Sequence, residues 1–246
     1  MTRYQLLIEY VGTNFRGWQI QQKGPTIQGL IQKKLSKLLK EKINIFGSGR
    51  TDAGVHAIEQ SAHFDCKIKI LNKNKFLISL NHFLNNKKIS ILDIKKKNQN
   101  FHARFSAKER IYKYIIFNQI SAPVLNHERG WHIMKKLNVQ IMQKGGDKLI
   151  GTKDFSVFRA SSCNAKSPIK TMKSIKIKTQ SNKITIEFKS KSFLQQQVRS
   201  IVGCLKYLGE QKWSLKQFNE IIKSRKRELC APPAPAKGLY LKKILY

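Results

Sequence analysis

The chain has 246 residues, enough for one large domain or two small ones. Hydrophobic residues make up 41% of it, which excludes a disordered chain. The 48 Lys+Arg against 14 Asp+Glu leave a formal charge of +34, and such a field favours a polyanionic partner, of which nucleic acid is the commonest.

The first residues, "RYQLLIEYVG", read as a buried strand ending at Gly12. "TIQGLIQKKLSKLLKEKI" places Ile27, Leu30, Ile31, Leu35, Leu38 and Leu39 at helical spacing, with Pro25 and Thr26 as a start signal. The glycine-rich stretch "IFGSGRTDAGVHA" follows, and "VHAIEQSAHFDCKI" reads as a strand. "NKNKFLISLNHFLN" is a second amphipathic helix and "KKISILDIKK" a third strand, so the order is βαβαβ. A similar order returns after about residue 105. "ERIYKYIIFN" alternates as a strand, and "NVQIMQKGGDKLIG" fits a short helix with Val139, Met142, Leu149 and Ile150 on one face. Two alternating runs around "QSNK" signal a hairpin. "LQQQVRSIVGCLKYLG" and "SLKQFNEIIKSRK" are helices, and "GLYLKKILY" closes the chain as a strand. These elements predict an α+β protein of two similar α/β lobes, residues 1–104 and 105–246, with mixed, mainly antiparallel sheets flanking a basic cleft.

Cys66, Cys163, Cys204 and Cys230 are widely spaced, without metal-ligand spacing or a disulfide framework, which fits a reduced, cytoplasmic setting. The apolar run at the N-terminus is too short for a signal core or a membrane span, so a soluble protein is expected.

"GSGRTDAG", residues 47–54, sets one carboxylate among glycines in a chain poor in acids. A Walker loop needs a Lys followed by Ser or Thr after its last glycine, and none is present. The dinucleotide pattern needs a glycine where Asp52 stands. A plain turn remains open, because Asp and Gly are ordinary turn residues. Against it stand three features. Arg50 lies two residues before Asp52, and a guanidinium about 4 Å from a carboxylate is worth about 4 kcal/mol at an effective dielectric of about 20, before desolvation. Flanking glycines let a planar group approach the backbone. An acid here repels the phosphates that the rest of the surface attracts, so it needs a compensating role, and an ionised carboxylate can serve as nucleophile or general base.

"GRTDAGVHA" resembles the catalytic signature of the bacterial tRNA pseudouridine synthase A family. "EYVGTNFRGWQIQ", "FHARFSAKERIYKYIIFN", "DFSVFRASSC", "KSFLQQQVRSIVG" and "APPAPAKGLYL" resemble that family's other blocks, in the family's order. The resemblance implies the pseudouridine synthase fold and isomerisation of uridine to pseudouridine at positions 38, 39 and 40 of the tRNA anticodon stem-loop. It implies Asp52 as the catalytic aspartate, acting as nucleophile at the sugar C1′ or taking a proton from the sugar, Arg50 as the residue that helps displace the target base, and Arg199 as the partner of the catalytic carboxylate. Tyr112 is implied to pack on the uracil, and Leu239 falls in a block that lines the pocket. It further implies a homodimer that grips one tRNA, with no metal and no organic cofactor. Glutamines in "FLQQQVR", Ser48 and Val11 depart from the family's common pattern, and none removes a group with a chemical role.

Bland readings stand beside these roles. Tyr112 and Tyr114, two apart, share one side of a strand and would look the same as a core pair. Arg199 sits in an uncharged helical run, where it either snorkels to solvent or needs a buried partner. His56 and His63, seven apart, point to opposite faces and read as structural. Two further functions compete with isomerisation. One is a non-catalytic basic RNA-binding protein or RNA chaperone, with Asp52 as turn geometry. The other is a glycosidic hydrolase, disfavoured because Glu59 is the nearest second acid and its direction along the strand is in doubt.

Overall fold

The computed structural model describes residues 1–246. In chain order the elements are β1 (Thr2–Tyr10), α1 (Ile27–Leu39), β2 (Ile45–Gly47), β3 (His56–Cys66), α2 (Lys73–Leu84), β4 (Ile89–Lys97), β5 (Glu109–Asn118), β6 (Trp131–Ile133), α3 (Val139–Asp147), β7 (Gly151–Asp154), β8 (Ile169–Gln180), β9 (Lys183–Ser190), α4 (Gln197–Gly209), α5 (Leu215–Ser224) and β10 (Leu239–Leu245). The protein is α+β with mixed, mainly antiparallel pairing. Its contacts divide into two compact units, Met1–Lys108 with Tyr240–Tyr246, and Glu109–Leu239. The final strand joins the first unit because β10 pairs in parallel with β3, through Tyr240↔His56 and Leu241↔Ala57. Its partner lies about 180 residues earlier, and local sequence carries no sign of that pairing.

In the first unit the strands run β4-β1-β3-β10, with β2 paired to β3. β1 is antiparallel to both β3 and β4. Tyr4, Leu6, Ile8 and Tyr10 alternate along β1 and are all buried, as the period-two pleat requires. α1 opens where Thr26 accepts the Gly29 amide, and it buries Ile27, Ile31, Leu35 and Leu39 as one stripe. At about 2 kcal/mol for each buried aliphatic side chain, that stripe contributes about 8 kcal/mol of transfer free energy. Leu30 and Leu38, expected in the same stripe, flank it half-buried. α2 starts at Asn72, whose side chain accepts the Lys75 amide, and buries Leu80 and Leu84. The three-residue β2 has no hydrophobic period of its own and is invisible to pattern reasoning.

In the second unit the order is β5-β9-β8-β7, all antiparallel, with β6 parallel to β5. The "QSNK" turn joins β8 and β9 with Ser181 at φ 51°. α3 packs on α4 and β8 through small residues. A Cβ at Gly145 would meet a Leu208 methyl at 2.3 Å, and one at Gly146 would meet Ile175 at 3.0 Å. The expectation that Leu149 and Ile150 share a helical face with Met142 is corrected here. α3 ends at Asp147, and the chain turns out of the helix through amides donated to Gly146 and Asp147. Leu149 is still buried, but Ile150 is exposed. The four cysteines are free thiols. No helix is long and apolar enough to cross a membrane.

Candidate active site

The glycine-rich stretch forms the lead-in from β2 to β3 in the first unit, and nearly every polar group that shapes it is tied down. Ser48, fully buried, donates its hydroxyl to Gln60 Oε1 at 2.7 Å, and its amide donates to the Ser61 carbonyl at 2.8 Å. Gln60 Nε2 donates to the Gly49 carbonyl at 2.9 Å, and Gln60 Oε1 also accepts the Ser61 amide at 3.0 Å. A single side chain on β3 therefore clamps the first half of the loop. The second half is held from β1 and the segment after it. Thr51 Oγ1 and the Tyr10 hydroxyl are 2.7 Å apart, and the Thr51 carbonyl accepts the Trp18 amide at 3.1 Å. Tyr10 lies where the β1–β3 register shifts, between Ile8 and Tyr10, and such shifts re-aim side chains.

Two glycines make the close packing possible. Gly17 has φ +92°, and a Cβ there would lie 2.5 Å from the Thr51 carbonyl oxygen and 3.1 Å from the Asp52 carbonyl carbon. Gly47 faces the buried Trp18 indole, which a Cβ would meet at 2.5 Å. The turn then closes as Val55 donates to the Asp52 carbonyl at 3.1 Å, with Gly54 at φ +78° in the left-handed region. Beyond it, His56 Nδ1 accepts the Gly12 amide at 3.1 Å and its ring sits 4.7 Å from that of Tyr240. His63 Nδ1 accepts the Ala103 amide at 3.2 Å. Both histidines serve backbone amides. Burial pushes the His63 imidazole down to about 4. The nearby His102 and Arg3 add to that, against the opposing pull of Asp65 and a hydrogen bond to the Phe46 backbone.

Asp52 emerges from this frame half-buried, after an exposed Arg50 and a buried Thr51. A carboxylate on a loop fixed by Gln60, Tyr10 and Trp18 loses little further freedom when it meets a substrate, which is the condition for positioned chemistry.

The other residues singled out in the sequence belong to the second unit. Tyr112, on β5, is buried with its ring edge-on to Phe193 at 5.1 Å. Arg199 lies in the first turn of α4. Its Nε donates to the Ala234 carbonyl at 2.7 Å, and its own carbonyl accepts the Ala234 amide at 2.9 Å. The 231–238 segment is held further by the Tyr114 hydroxyl, which donates to the Pro235 carbonyl at 2.8 Å. A Cβ at Gly203 would lie 2.1 Å from the Pro232 oxygen, and one at Gly238 would lie 2.5 Å from the Tyr114 ring. Leu239, at the start of β10, is buried. Arg50 and Asp52 thus share one loop, and Arg199 and the segment leading to Leu239 share one hydrogen-bonded assembly. Gln60, Tyr10 and Trp18 escaped the sequence reading, which noted Ser48 only as a departure from the family's pattern. The quoted "RGWQ" run held the one available hint, a glycine beside a large aromatic ring.

The sequence profile of the tRNA pseudouridine synthase family matches residues 6–106 and 147–246, which include four of the five residues singled out, all but Tyr112. The chain is 69% identical over all 246 residues to a tRNA pseudouridine synthase A of Pelagibacter ubique, covering the whole of both. It is 40% identical over 246 residues to proteins of the same name from Paramagnetospirillum magneticum and Rhodopseudomonas palustris, covering 96% and 100% of them.

Proposed function

Because the chain belongs to the tRNA pseudouridine synthase family, an isomerase family that acts on uridine in tRNA, we propose that Asp52 is its catalytic carboxylate and the anticodon stem-loop its target. The supporting observation is the loop itself: an acid in a chain of +34, set half-buried on a backbone clamped by Gln60, Tyr10 and Trp18. Positions 38, 39 and 40 follow from the resemblance of the motifs.

The target uridine leaves its stack, at a cost of a few kcal/mol. Arg50, exposed two residues before the carboxylate, occupies the vacated place. The Asp52 carboxylate attacks C1′ as the N1–C1′ bond breaks. The freed uracil turns, C5 bonds to C1′ as the carboxylate leaves, C5 loses its hydrogen as a proton and N1 carries one. No atom is gained or lost overall, and no redox partner is needed. Tyr112 and Leu239 contact the base, and Arg199 supports the ionised carboxylate. These three roles rest on the motif positions. The same resemblance supports a homodimer, which sedimentation would read directly.

The test is tRNA carrying tritium at uridine C5. An isomerase releases one label for each pseudouridine formed, at positions 38–40 when the products are mapped. An RNA chaperone releases none, and a glycosidic hydrolase liberates free uracil. Label release from other positions alone would overturn the anticodon assignment.

A further inference from the structure

Of thirteen phenylalanines, only Phe46 and Phe105 are exposed, at 48% and 74%, and both belong to one cluster of rings in the first unit. Phe46 stacks on His63 with centroids 5.2 Å apart and interplanar angle 23°. His102 lies 4.6 Å from His63, 6.1 Å from Phe46 and 4.4 Å from Phe105. The cluster is rigid. Arg3 forks onto Asp65 at 2.8 and 2.6 Å and donates to the Gln99 and Phe101 carbonyls, which pins the 99–101 segment to the sheet. The Tyr246 hydroxyl lies 2.6 Å from Ser61 Oγ and 2.9 Å from the Ala103 carbonyl. His102 Nδ1 accepts the Arg104 and Phe105 amides, and Ser106 closes the turn in both directions with His102. A ring this exposed on a turn this well fixed leaves most of its surface open to a partner.

Cations surround the rings. The Arg104 guanidinium lies 5.5 Å from the Phe105 centroid, and Lys97 Nζ lies 5.1 Å from that of Phe101. Phe46 sits on β2, four residues before Arg50, so the cluster adjoins the loop that carries Asp52. Protein interfaces deplete charge from their cores, whereas single-stranded nucleic acid is bound by aromatic faces with cations along the backbone. We propose that Phe105, with Phe46 and His102 behind it, is a stacking platform for an unpaired base of the tRNA substrate outside the catalytic pocket, with Arg104 and Lys97 at the neighbouring phosphates. This rests on tRNA being the substrate. It adds a docking surface that the chemical step does not use, so its mark falls on substrate affinity.

The experiment compares Phe105→Ala, Phe105→Leu and Phe105→Trp with the unaltered protein. It measures the Kd for an unmodified tRNA transcript, KM and kcat for tritium release, and the sedimentation coefficient. The side chain is exposed, so the variants fold. Stacking predicts that Ala and Leu each raise Kd and KM by about five- to a hundredfold, that Trp restores both, and that kcat at saturation holds. Three outcomes overturn the platform: unaltered Kd in Phe105→Ala, Leu binding as well as Phe, or an altered sedimentation coefficient with unaltered RNA affinity, which would make the patch a protein interface. Label release by the unaltered protein is scored separately, so failure of the platform and failure of the isomerase reading are distinguishable.

Discussion

Gln60→Leu tests whether the loop around Asp52 is held as described. The Gln60 side chain is fully buried and joins three groups: the Ser48 hydroxyl and Ser61 amide on Oε1, and the Gly49 carbonyl on Nε2. Leucine fills nearly the same volume and satisfies none of them. A hydrogen bond of this kind contributes about 0.5–1.5 kcal/mol net, so the loss of three predicts a fall in stability of about 3 kcal/mol. For a chain of this size that is a fall of roughly 6–12 °C in the apparent melting temperature. Because the loss centres on the loop, kcat for tritium release falls more than tRNA affinity does. Ser48→Ala in the Gln60→Leu background removes a hydroxyl that has already lost its bond to Gln60. The double variant is therefore predicted to be more stable than the sum of the single effects by at least about 1 kcal/mol. Strict additivity, or an unaltered melting temperature in Gln60→Leu, would refute the clamp.

Gly203→Ala puts a methyl group 2.1 Å from the Pro232 oxygen, which is backbone and cannot give way. Overpacking of about 1–3 kcal/mol outweighs a helix-propensity gain of about 1, so thermal stability falls, and kcat/KM falls with it as the Arg199–Ala234 pairing loosens. A rise in melting temperature would contradict that packing. His63, held at about 4 against about 6.5 when unfolded, stays neutral in the folded protein while the unfolded chain takes up a proton. Its contribution is present above pH 6.5 and is lost as pH falls from 6.5 to 4, by about 3 kcal/mol in total; denaturant titrations across that window read it directly, and a flat profile would refute it. His102, also lowered chiefly by burial, acts in the same direction. Binding of tRNA weakens linearly in log Kd against log salt, because a surface of this charge grips phosphates by counterion release; a salt-insensitive Kd would contradict that reading.

Long elements with their own period were legible. The stripe of α1, its start at Thr26 and the strands β1 and β5 were all readable from local sequence. Glycines were harder to read. Gly145 and Gly146 sit inside α3 because α4 and β8 approach it there, and the apolar residues beyond them belong to the turn that leaves the helix. The parallel pairing of β10 with β3 joins segments from opposite ends of the chain, so no local pattern carries it. At the site, the spacing of Arg50 and Asp52 marked the loop, but its support did not stand out. Gln60 lies eight residues on, in a strand where a glutamine reads as an ordinary polar position. Tyr10 becomes a loop anchor only through the register shift at the end of β1.

The central claim is that the Asp52 carboxylate does the bond rearrangement while the fold and the RNA grip come from elsewhere. Asp52→Asn, assayed together for tritium release in a single turnover, tRNA Kd and melting temperature, tests it most directly. Asparagine keeps the size of the side chain and one of its hydrogen-bonding oxygens, and Ser48, Thr51 and Gln60 tie down the rest of the loop, so Kd and stability are predicted to stay close to those of the unaltered protein. Label release is predicted to drop by roughly 10³-fold or more. Release at an undiminished rate, or loss of tRNA binding and folding along with it, would contradict the account.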